Sequence, residues 1–314
     1  MAKKADAPAR ASPMFSLPPV NPVVLACPAK LNLLLAVVGR RADGFHQLVS
    51  VVAPVAFGDT LAVEPAAEFS LTCDDPAVPA DGTNLVLKAA AAFRAATGWN
   101  GGAKFTLAKR IPAGAGLGGG SSDAAAALVA LNGLADGKLA PAALAAVAAA
   151  VGSDCALFLP GGPVILRGRG ERVERLAEPA AAQLRGRRVL VFKPGFAIAT
   201  PWAFAQCAAR ARGSYRPGAE AEARLVNFTH AVADGAAWEK QLFNDLESVA
   251  FAKFVALPVL LGQLRARFGL EPRLSGSGSA CFALLPDGAP VADITAAIRA
   301  AWGASAFVVE TRLV

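Results

Sequence analysis

Residues 111–125 read IPAGAGLGGGSSDAA, a glycine-rich turn that leads directly into an alanine-rich helix pattern. Successive glycines let backbone N–H groups converge on an anion without obstruction by Cβ atoms. A helix that begins at once adds free donors and partial positive charge. Ser121 and Ser122 offer hydroxyls for a phosphate or a magnesium ion, and Ser121, Ser122 and Asp123 are all candidate helix caps. The stretch therefore predicts a phosphate cradle, with a glycine-rich hairpin before an ordinary capped helix as the alternative.

Two well-known nucleotide-binding motifs do not fit this loop. The spacing Gly114-x-Gly116-x-x-Gly119 matches the dinucleotide fingerprint, but the sequence about 20 residues on is helical where an acidic residue should close a second strand. A Walker A loop needs Lys and then Ser or Thr after its last glycine. Here Gly120 is followed by Ser-Ser-Asp, and a second candidate that ends at Gly44 is followed by Phe. The pattern therefore excludes a Rossmann site and a P-loop.

The segments around the loop predict a mixture of helices and strands. Helices are expected over residues 83–98, capped by Thr83 or Asn84 and ended by Gly98, and over residues 122–135 and 141–151. Strand patterns cover residues 103–112 and residues 23–40, the latter broken by Pro-Ala-Lys, while residues 46–65 read as two strands around Pro54 and a turn at Gly58. Further strands are expected near residues 188–195 and after residue 274, and residues 291–314 read as helix then strand. Such mixing without regular βαβ alternation predicts an α+β protein of two lobes.

Chain length favours two domains, because 314 residues can bury two cores. We predict a disordered tail over residues 1–20, an N-terminal domain over residues 21–185 that binds ATP, and a C-terminal domain over residues 186–314. The tail is polar and proline-rich and lacks the apolar stretch of a secretory signal.

Composition excludes several classes of protein. Mean hydropathy is +0.44, but the longest apolar segment, residues 139–151, contains a proline and is too short to span a bilayer. The net charge of +7 comes from dispersed Lys and Arg, which a phosphorylated ligand explains better than nucleic acid does. Five widely spaced cysteines and two histidines argue for a reducing compartment and against a zinc site or a His-dependent triad. We predict a cytoplasmic protein.

Two further segments strengthen the case for a phosphate site. PAKLNL (residues 28–33) places Lys30 and Asn32 in an apolar strand, and LSGSGSACFAL (residues 274–284) is another small-residue turn. In this order the three segments resemble those of the GHMP kinase superfamily. Within it, GRRADGFH (39–46), VGSDCALFL (151–159), KPGFAIATPWAF (193–204) and NDLE (244–247) are similar to the branch that acts on a cytidine diphosphate-linked polyol.

The resemblance implies a two-lobed fold, with an N-terminal lobe like domain 2 of ribosomal protein S5 and a ferredoxin-like C-terminal lobe. It also implies transfer of phosphate from ATP, with Mg²⁺, to the 2-hydroxyl of cytidine diphosphate-linked methylerythritol, a step of the non-mevalonate isoprenoid route. Asp154 matches the base that accepts the hydroxyl proton, and Lys30 the cation that holds this aspartate ionised and stabilises transferred charge. Asn32 lies two residues along the strand, on the same face as Lys30.

The resemblance assigns the remaining site residues by ligand. His46 would read cytosine, Phe45 and Phe204 would stack on it, and Gly276 and Ser277 complete the substrate side. The family more often has Tyr at the position of Phe45, and Gly at that of Ala115, where a methyl group requires negative φ. The nucleotide side comprises Asn84 and Lys109 near the adenine, and Pro112, Gly114, Gly116, Leu117, Gly118, Gly119, Gly120, Ser121 and Ser122 at the phosphates.

The sequence leaves three alternatives open. One is another kinase of the superfamily with a different acceptor, which would leave His46 without a base to recognise. Another is a ligand-binding regulator that has lost catalysis, which would need a broken Lys30–Asp154 pair or loop. The third is docking of the basic tail on a partner or membrane. We expect ATP and a small molecule as ligands, no nucleic acid or membrane, and a monomer or weak homodimer; the sequence does not indicate a direct metal ligand.

Overall fold

The computed structural model of the protein describes residues 22–211 and 215–314. The predicted disordered tail over residues 1–20 lies outside the described residues. The strands are β1 (Val23–Arg40), β2 (His46–Ala66), β3 (Ser70–Cys73), β4 (Gly102–Ala108), β5 (Val164–Gly168), β6 (Arg172–Arg175), β7 (Arg188–Lys193), β8 (Phe243–Asn244), β9 (Arg273–Leu274), β10 (Cys281–Leu284) and β11 (Phe307–Arg312). The α-helices are α1 (Leu85–Thr97), α2 (Gly119–Leu134), α3 (Pro141–Val151), α4 (Ala180–Leu184), α5 (Thr200–Ala211), α6 (Gly218–Ala233), α7 (Glu247–Lys253), α8 (Ala256–Phe268) and α9 (Val291–Trp302).

A long antiparallel pair forms the centre of the larger sheet. Its strand order is β3-β4-β2-β1-β8, and β5 pairs with both β2 and β6. β1 and β2 are each one continuous strand, so the predicted breaks at Pro-Ala-Lys, Pro54 and Gly58 are wrong. The register shifts between Pro28 and Lys30 instead, where bulges absorb the proline without ending the pairing.

Gly58 lies in this strand because two backbones cross closely there. A Cβ atom on Gly58 would lie 2.2 Å from the carbonyl oxygen of Cys27 on β1. The glycine predicted as a turn residue therefore allows a close approach within the sheet.

The helices α1, α2 and α3 pack together, and α2 lies against β1 and β2. Of the two predicted caps, Asn84 rather than Thr83 caps α1, by accepting a hydrogen bond from the amide of Val86, and Gly98 ends the helix at φ +63°, as predicted. Helix α3 has the predicted bounds. Helix α2 begins three residues earlier than predicted, at Gly119, and Gly118 provides its N-cap at φ +74° without a side-chain bond. None of the three predicted capping side chains therefore caps α2.

The smaller sheet has the order β11-β7-β10-β9, and the predicted final helix and strand are α9 and β11. Val191 and Phe282 of this sheet share one buried apolar cluster with Leu31 and Val51 of the larger sheet. Strand β8, from beyond residue 186, pairs in parallel with β1. The chain is an α+β protein, as predicted, while the domain boundary at residue 185 stays a prediction.

No single described helix has the length and apolar character needed to cross a membrane. The helices α7 and α8 have the needed length and apolar character only when taken together, and they are bent by 110° relative to each other. Helix α8 buries Leu257, Leu260, Leu261 and Leu264 in the protein.

Candidate active site

A cleft of about 1160 Å³ lies beside the glycine loop, the start of α5 and the loop between β9 and β10. Every residue that the sequence predicted for the site lines this cleft except Ser122. Ser122 is 1% exposed, and its hydroxyl has no hydrogen-bond partner among residues 22–211 and 215–314. Helix formation from Gly119 turns Ser122 inward, so Ser121 is the loop serine that faces the cleft.

A cation and a carboxylate meet at the floor of the cleft. The Nζ atom of Lys30 lies 3.8 Å from Oδ2 of Asp154, and the Lys30 side chain is 6% exposed while that of Asp154 is 40% exposed. Asp154 follows α3, in the turn before the short 3-10 helix Ala156–Phe158. The carboxylate is therefore open to a ligand, whereas the ammonium is held within the protein.

A chain of hydrogen bonds orients Lys30. Its Nζ donates to Oδ1 of Asn32 at 2.5 Å, and Nδ2 of Asn32 donates to the Ser50 hydroxyl at 3.0 Å. That hydroxyl donates in turn to the carbonyl of Leu34 at 2.6 Å. Burial lowers the pKa of Lys30, and the charge of Asp154 opposes this effect. Sequence reasoning missed Ser50, although a lone serine in the apolar run LVSVVAPV was a usable signal.

The glycine loop is held by its carbonyl groups. The carbonyl of Leu117 accepts from the amide of Lys30 at 2.9 Å, and that of Ala115 accepts from the amide of Ala280 at 3.0 Å. Within the described residues, the amides from Gly114 to Ser121 donate to no protein acceptor, since the first bond of α2 runs from Ser122 to Gly118. These free donors at a helix N-terminus form a cradle for an anion.

Glycine is required in this loop for its backbone conformation and for its packing. Gly114, Gly116 and Gly118 have φ of +60°, +76° and +74°. A Cβ atom on Gly116 would lie 2.3 Å from the carbonyl oxygen of Ser275. Ala115 has no positive φ, which is the condition expected for its methyl group.

The second glycine turn lies against the same floor. A Cβ on Gly276 would lie 3.0 Å from Nζ of Lys30. The Ser277 hydroxyl lies 2.8 Å from that of Thr200, at the start of α5. Asn244 of the NDLE segment holds this turn by donating to the carbonyls of Leu274 and Gly276 at 2.9 and 2.8 Å. The NDLE segment resembles that of the branch acting on a cytidine diphosphate-linked polyol, but its sequence alone does not reveal this contact.

Aromatic side chains line the other end of the cleft. His46 stacks on Phe204, with ring centroids 5.0 Å apart, and the Arg169 guanidinium lies 4.9 Å from the Phe45 centroid. Burial, with Arg40 nearby, lowers the pKa of His46 and favours the neutral ring. Its Nε2 is buried and has no hydrogen-bond partner in the described part of the chain. This end therefore offers aromatic faces to a planar ligand, while Nε2 of His46 is enclosed by the protein in this conformation.

Two residues predicted near the adenine already have protein partners. The Asn84 amide group donates to the carbonyl of Pro79 at 2.7 Å besides capping α1. The Lys109 ammonium pairs with Asp59 and, at 2.8 Å, with Asp123. Asp59 is not among the predicted site residues, because it follows Gly58, where the sequence predicted a turn.

An anion cradle, a buried cation and an exposed carboxylate on this fold are the parts of a small-molecule kinase that uses ATP. Residues 84–163 match the family described as GHMP kinases N terminal domain. The class of the protein is therefore that of the GHMP kinases.

Comparison with known proteins narrows this class. The chain is 38% identical to the 4-diphosphocytidyl-2-C-methyl-D-erythritol kinase of Prochlorococcus marinus (strain MIT 9303), over 84% of this chain and 85% of that protein. It is 39% identical to the kinase of that name from Synechococcus sp. (strain CC9311), over 84% and 87%. A crystal structure of 4-(cytidine 5'-diphospho)-2C-methyl-D-erythritol kinase matches with a TM-score of 0.71 and 36% identity, covering 92% of this chain and 99% of that one. The chain belongs to the 4-diphosphocytidyl-2-C-methyl-D-erythritol kinase family.

Proposed function

We propose that the protein transfers the γ-phosphoryl group of ATP to the 2-hydroxyl of 4-diphosphocytidyl-2-C-methyl-D-erythritol. The observation that carries the proposal is the Lys30–Asp154 pair at the floor of the cleft, beside a loop whose amides are free. The names and high coverage of the relatives support the choice of acceptor. A cytoplasmic location and a monomeric or weakly dimeric state remain predictions.

The Asp154 carboxylate accepts the proton of the attacking hydroxyl. Its exposed side chain can reach a ligand hydroxyl, and its Oδ2 atom lies 3.8 Å from the ammonium of Lys30. Lys30 stabilises negative charge on the attacking oxygen or the transferred group, and Asn32 fixes the direction of its ammonium. The acceptor hydroxyl would therefore lie between the carboxylate and the glycine loop.

The loop amides and the N-terminus of α2 hold the ATP phosphates, and the Ser121 hydroxyl adds a donor from the same turn. The oxygen donors that face the cleft here, on Asp154 and Ser121, fit a Mg²⁺ ion that is bound mainly by phosphates and water. When bound, that ion would neutralise charge on the phosphates.

The aromatic end of the cleft selects the cytidine diphosphate part. Phe45 and Phe204 offer faces for stacking, and the His46 ring would turn so that its buried, unpartnered Nε2 makes a hydrogen bond to the base edge. The acceptor of a kinase that acts on a smaller polyol would have no base to occupy the aromatic end of the cleft.

Steady-state kinetics of the purified protein with ATP and this acceptor test the proposal. We expect Asp154→Asn to lower kcat by about 10²- to 10⁴-fold, the usual contribution of a general base. We expect His46→Ala mainly to raise KM for the acceptor, because its contact is made equally in the ground and transition states. His230→Ala is the matched control, since His230 is the other histidine of the chain and does not line the cleft.

Two results would contradict parts of this assignment. ATP hydrolysis without transfer to the cytidine diphosphate-linked acceptor would keep the kinase class and reject the cytosine end. ATP binding without transfer to any polyol alcohol would favour the regulator.

A further inference from the structure

A buried cluster of three charges lies behind the glycine loop. Lys109, the first residue after β4, places its ammonium between the carboxylates of Asp59 on β2 and Asp123 on α2. The side chains of Lys109, Asp59 and Asp123 are 11%, 0% and 3% exposed. We call these three residues the loop clamp.

The clamp contacts both ends of the loop. Oδ1 of Asp59 accepts hydrogen bonds from the amides of Arg110 and Ile111 at 2.5 and 2.8 Å, where the loop begins. A Cβ atom on Gly119, where the loop enters α2, would lie 3.2 Å from Oδ2 of Asp59. Through Lys109, Asp59 is also tied to Asp123 in the first turns of α2. One buried carboxylate therefore fixes the start of the loop and lies close to its end.

Electrostatics join the three groups into one unit. Burial opposes the charge on Lys109, but Asp123 and Asp59 outweigh it and hold the pKa of Lys109 above its ordinary value. Burial raises the pKa of Asp123 to about 6, against the attraction of Lys109. Apolar residues of similar volume often fill such a position at no cost to stability, so a buried ion cluster is weak evidence for a role in stability alone. The contacts of this cluster with the glycine loop indicate that it positions the loop.

We propose that Asp59, Lys109 and Asp123 are positioning residues that hold the glycine loop, and with it the free amides, in the geometry that binds the ATP phosphates. The inference rests on the proposed function, because it assigns the loop to ATP. Lys109 influences the loop by holding Asp59 and Asp123 in place, because both carboxylates form ion pairs with its ammonium.

The test compares Lys109→Met with Lys104→Met. Lys104 lies on the same strand β4 and pairs with Glu64 of β2 at 3.9 Å, but its side chain is 51% exposed, so it controls for loss of a lysine near the sheet. Four quantities are measured for each variant: KM for ATP, KM for the acceptor, kcat at saturation, and the affinity for ADP by titration calorimetry. Lys109→Arg is included because it keeps the charge, and Asp123→Asn because it is nearly isosteric and will report if Lys109→Met fails to fold.

We expect Lys109→Met and Asp123→Asn to raise KM for ATP by about tenfold or more, as misplaced binding groups do. KM for the acceptor should change by less than about twofold, Lys109→Arg should recover part of the ATP affinity, and Lys104→Met should match wild type. Folded variants with unchanged KM for ATP and unchanged ADP affinity would overturn the inference. So would equal increases in both KM values, which indicate a general structural defect.

The ADP titration separates this inference from the proposed function. If wild type transfers no phosphate to the acceptor, the proposed function fails. The ratio of ADP affinities between Lys109→Met and Lys104→Met then still decides whether the clamp holds the nucleotide loop.

Discussion

Gly118→Ala should lower kcat by displacing the aliphatic part of the Lys30 side chain. Gly118 caps α2 at φ +74°, where an alanine costs about 1–2 kcal/mol relative to glycine. The added Cβ would lie 3.0 Å from Cγ of Lys30 and 3.1 Å from Cζ of Phe158, so these neighbours must move by some tenths of an ångström. Lys30 is 5% exposed, which leaves its stem little room to yield. We therefore expect its ammonium to shift relative to Asp154.

Gly137→Ala is a matched control for the backbone cost. Gly137 has φ +73°, and a Cβ there would meet nothing within 4 Å. Both variants should lose about 1–2 kcal/mol of stability, with a fall in melting temperature of about 2–4 °C per kcal/mol. In Gly118→Ala alone, kcat should also fall by about tenfold, because misplacement of a reacting group by 1 Å can cost up to about 100-fold.

Thermal melts and saturation kinetics of the two variants form the assay. Equal losses of stability with equal, near-wild-type kcat would refute the reasoning, since Lys30 would then tolerate the displacement. A larger loss of stability in Gly118→Ala with normal kcat would show that the strain is relieved away from the Lys30 ammonium.

Two further predictions concern the groups around Lys30. Burial lowers the pKa of Lys30, so kcat should fall as the pH rises through a value below the ordinary 10.5. The pH–rate profile of Lys30→Arg should lack this falling limb, because arginine keeps its charge over that range. If the falling limb is unchanged in Lys30→Arg, the titration belongs to another group. Ser50→Ala leaves Nδ2 of Asn32 without its buried acceptor, so the free energy of unfolding should fall by about 1–3 kcal/mol and kcat should fall as well. Ser70 is exposed, so Ser70→Ala should match the wild type in thermal melts and kinetic assays.

The sequence predicted the parts of the fold that depend on local signals. Asn84 and Gly98 mark the ends of α1 by capping chemistry, and residues 141–151 form α3 because a proline precedes a run of alanines. The strand breaks were wrong because bulges let β1 keep its pairing past Pro28. A residue pattern does not reveal such register shifts, because they depend on the partner strand.

The candidate site was predictable where its residues lie in a motif, as Lys30, Asp154 and the glycines do. The groups that orient these motif residues were not predictable from the sequence. Ser50 and Asp59 lie on β2 and act only because that strand pairs with β1 and β4. Their roles follow from tertiary contacts, which a single sequence does not contain.

The most direct measurement is the identity of the product. Wild-type protein is incubated with ATP, Mg²⁺ and 4-diphosphocytidyl-2-C-methyl-D-erythritol, and phosphorus NMR and mass spectrometry follow both substrates. We expect one new phosphomonoester on the 2-hydroxyl for each ADP formed. Formation of ADP without this product, or a phosphate on another hydroxyl, would contradict it.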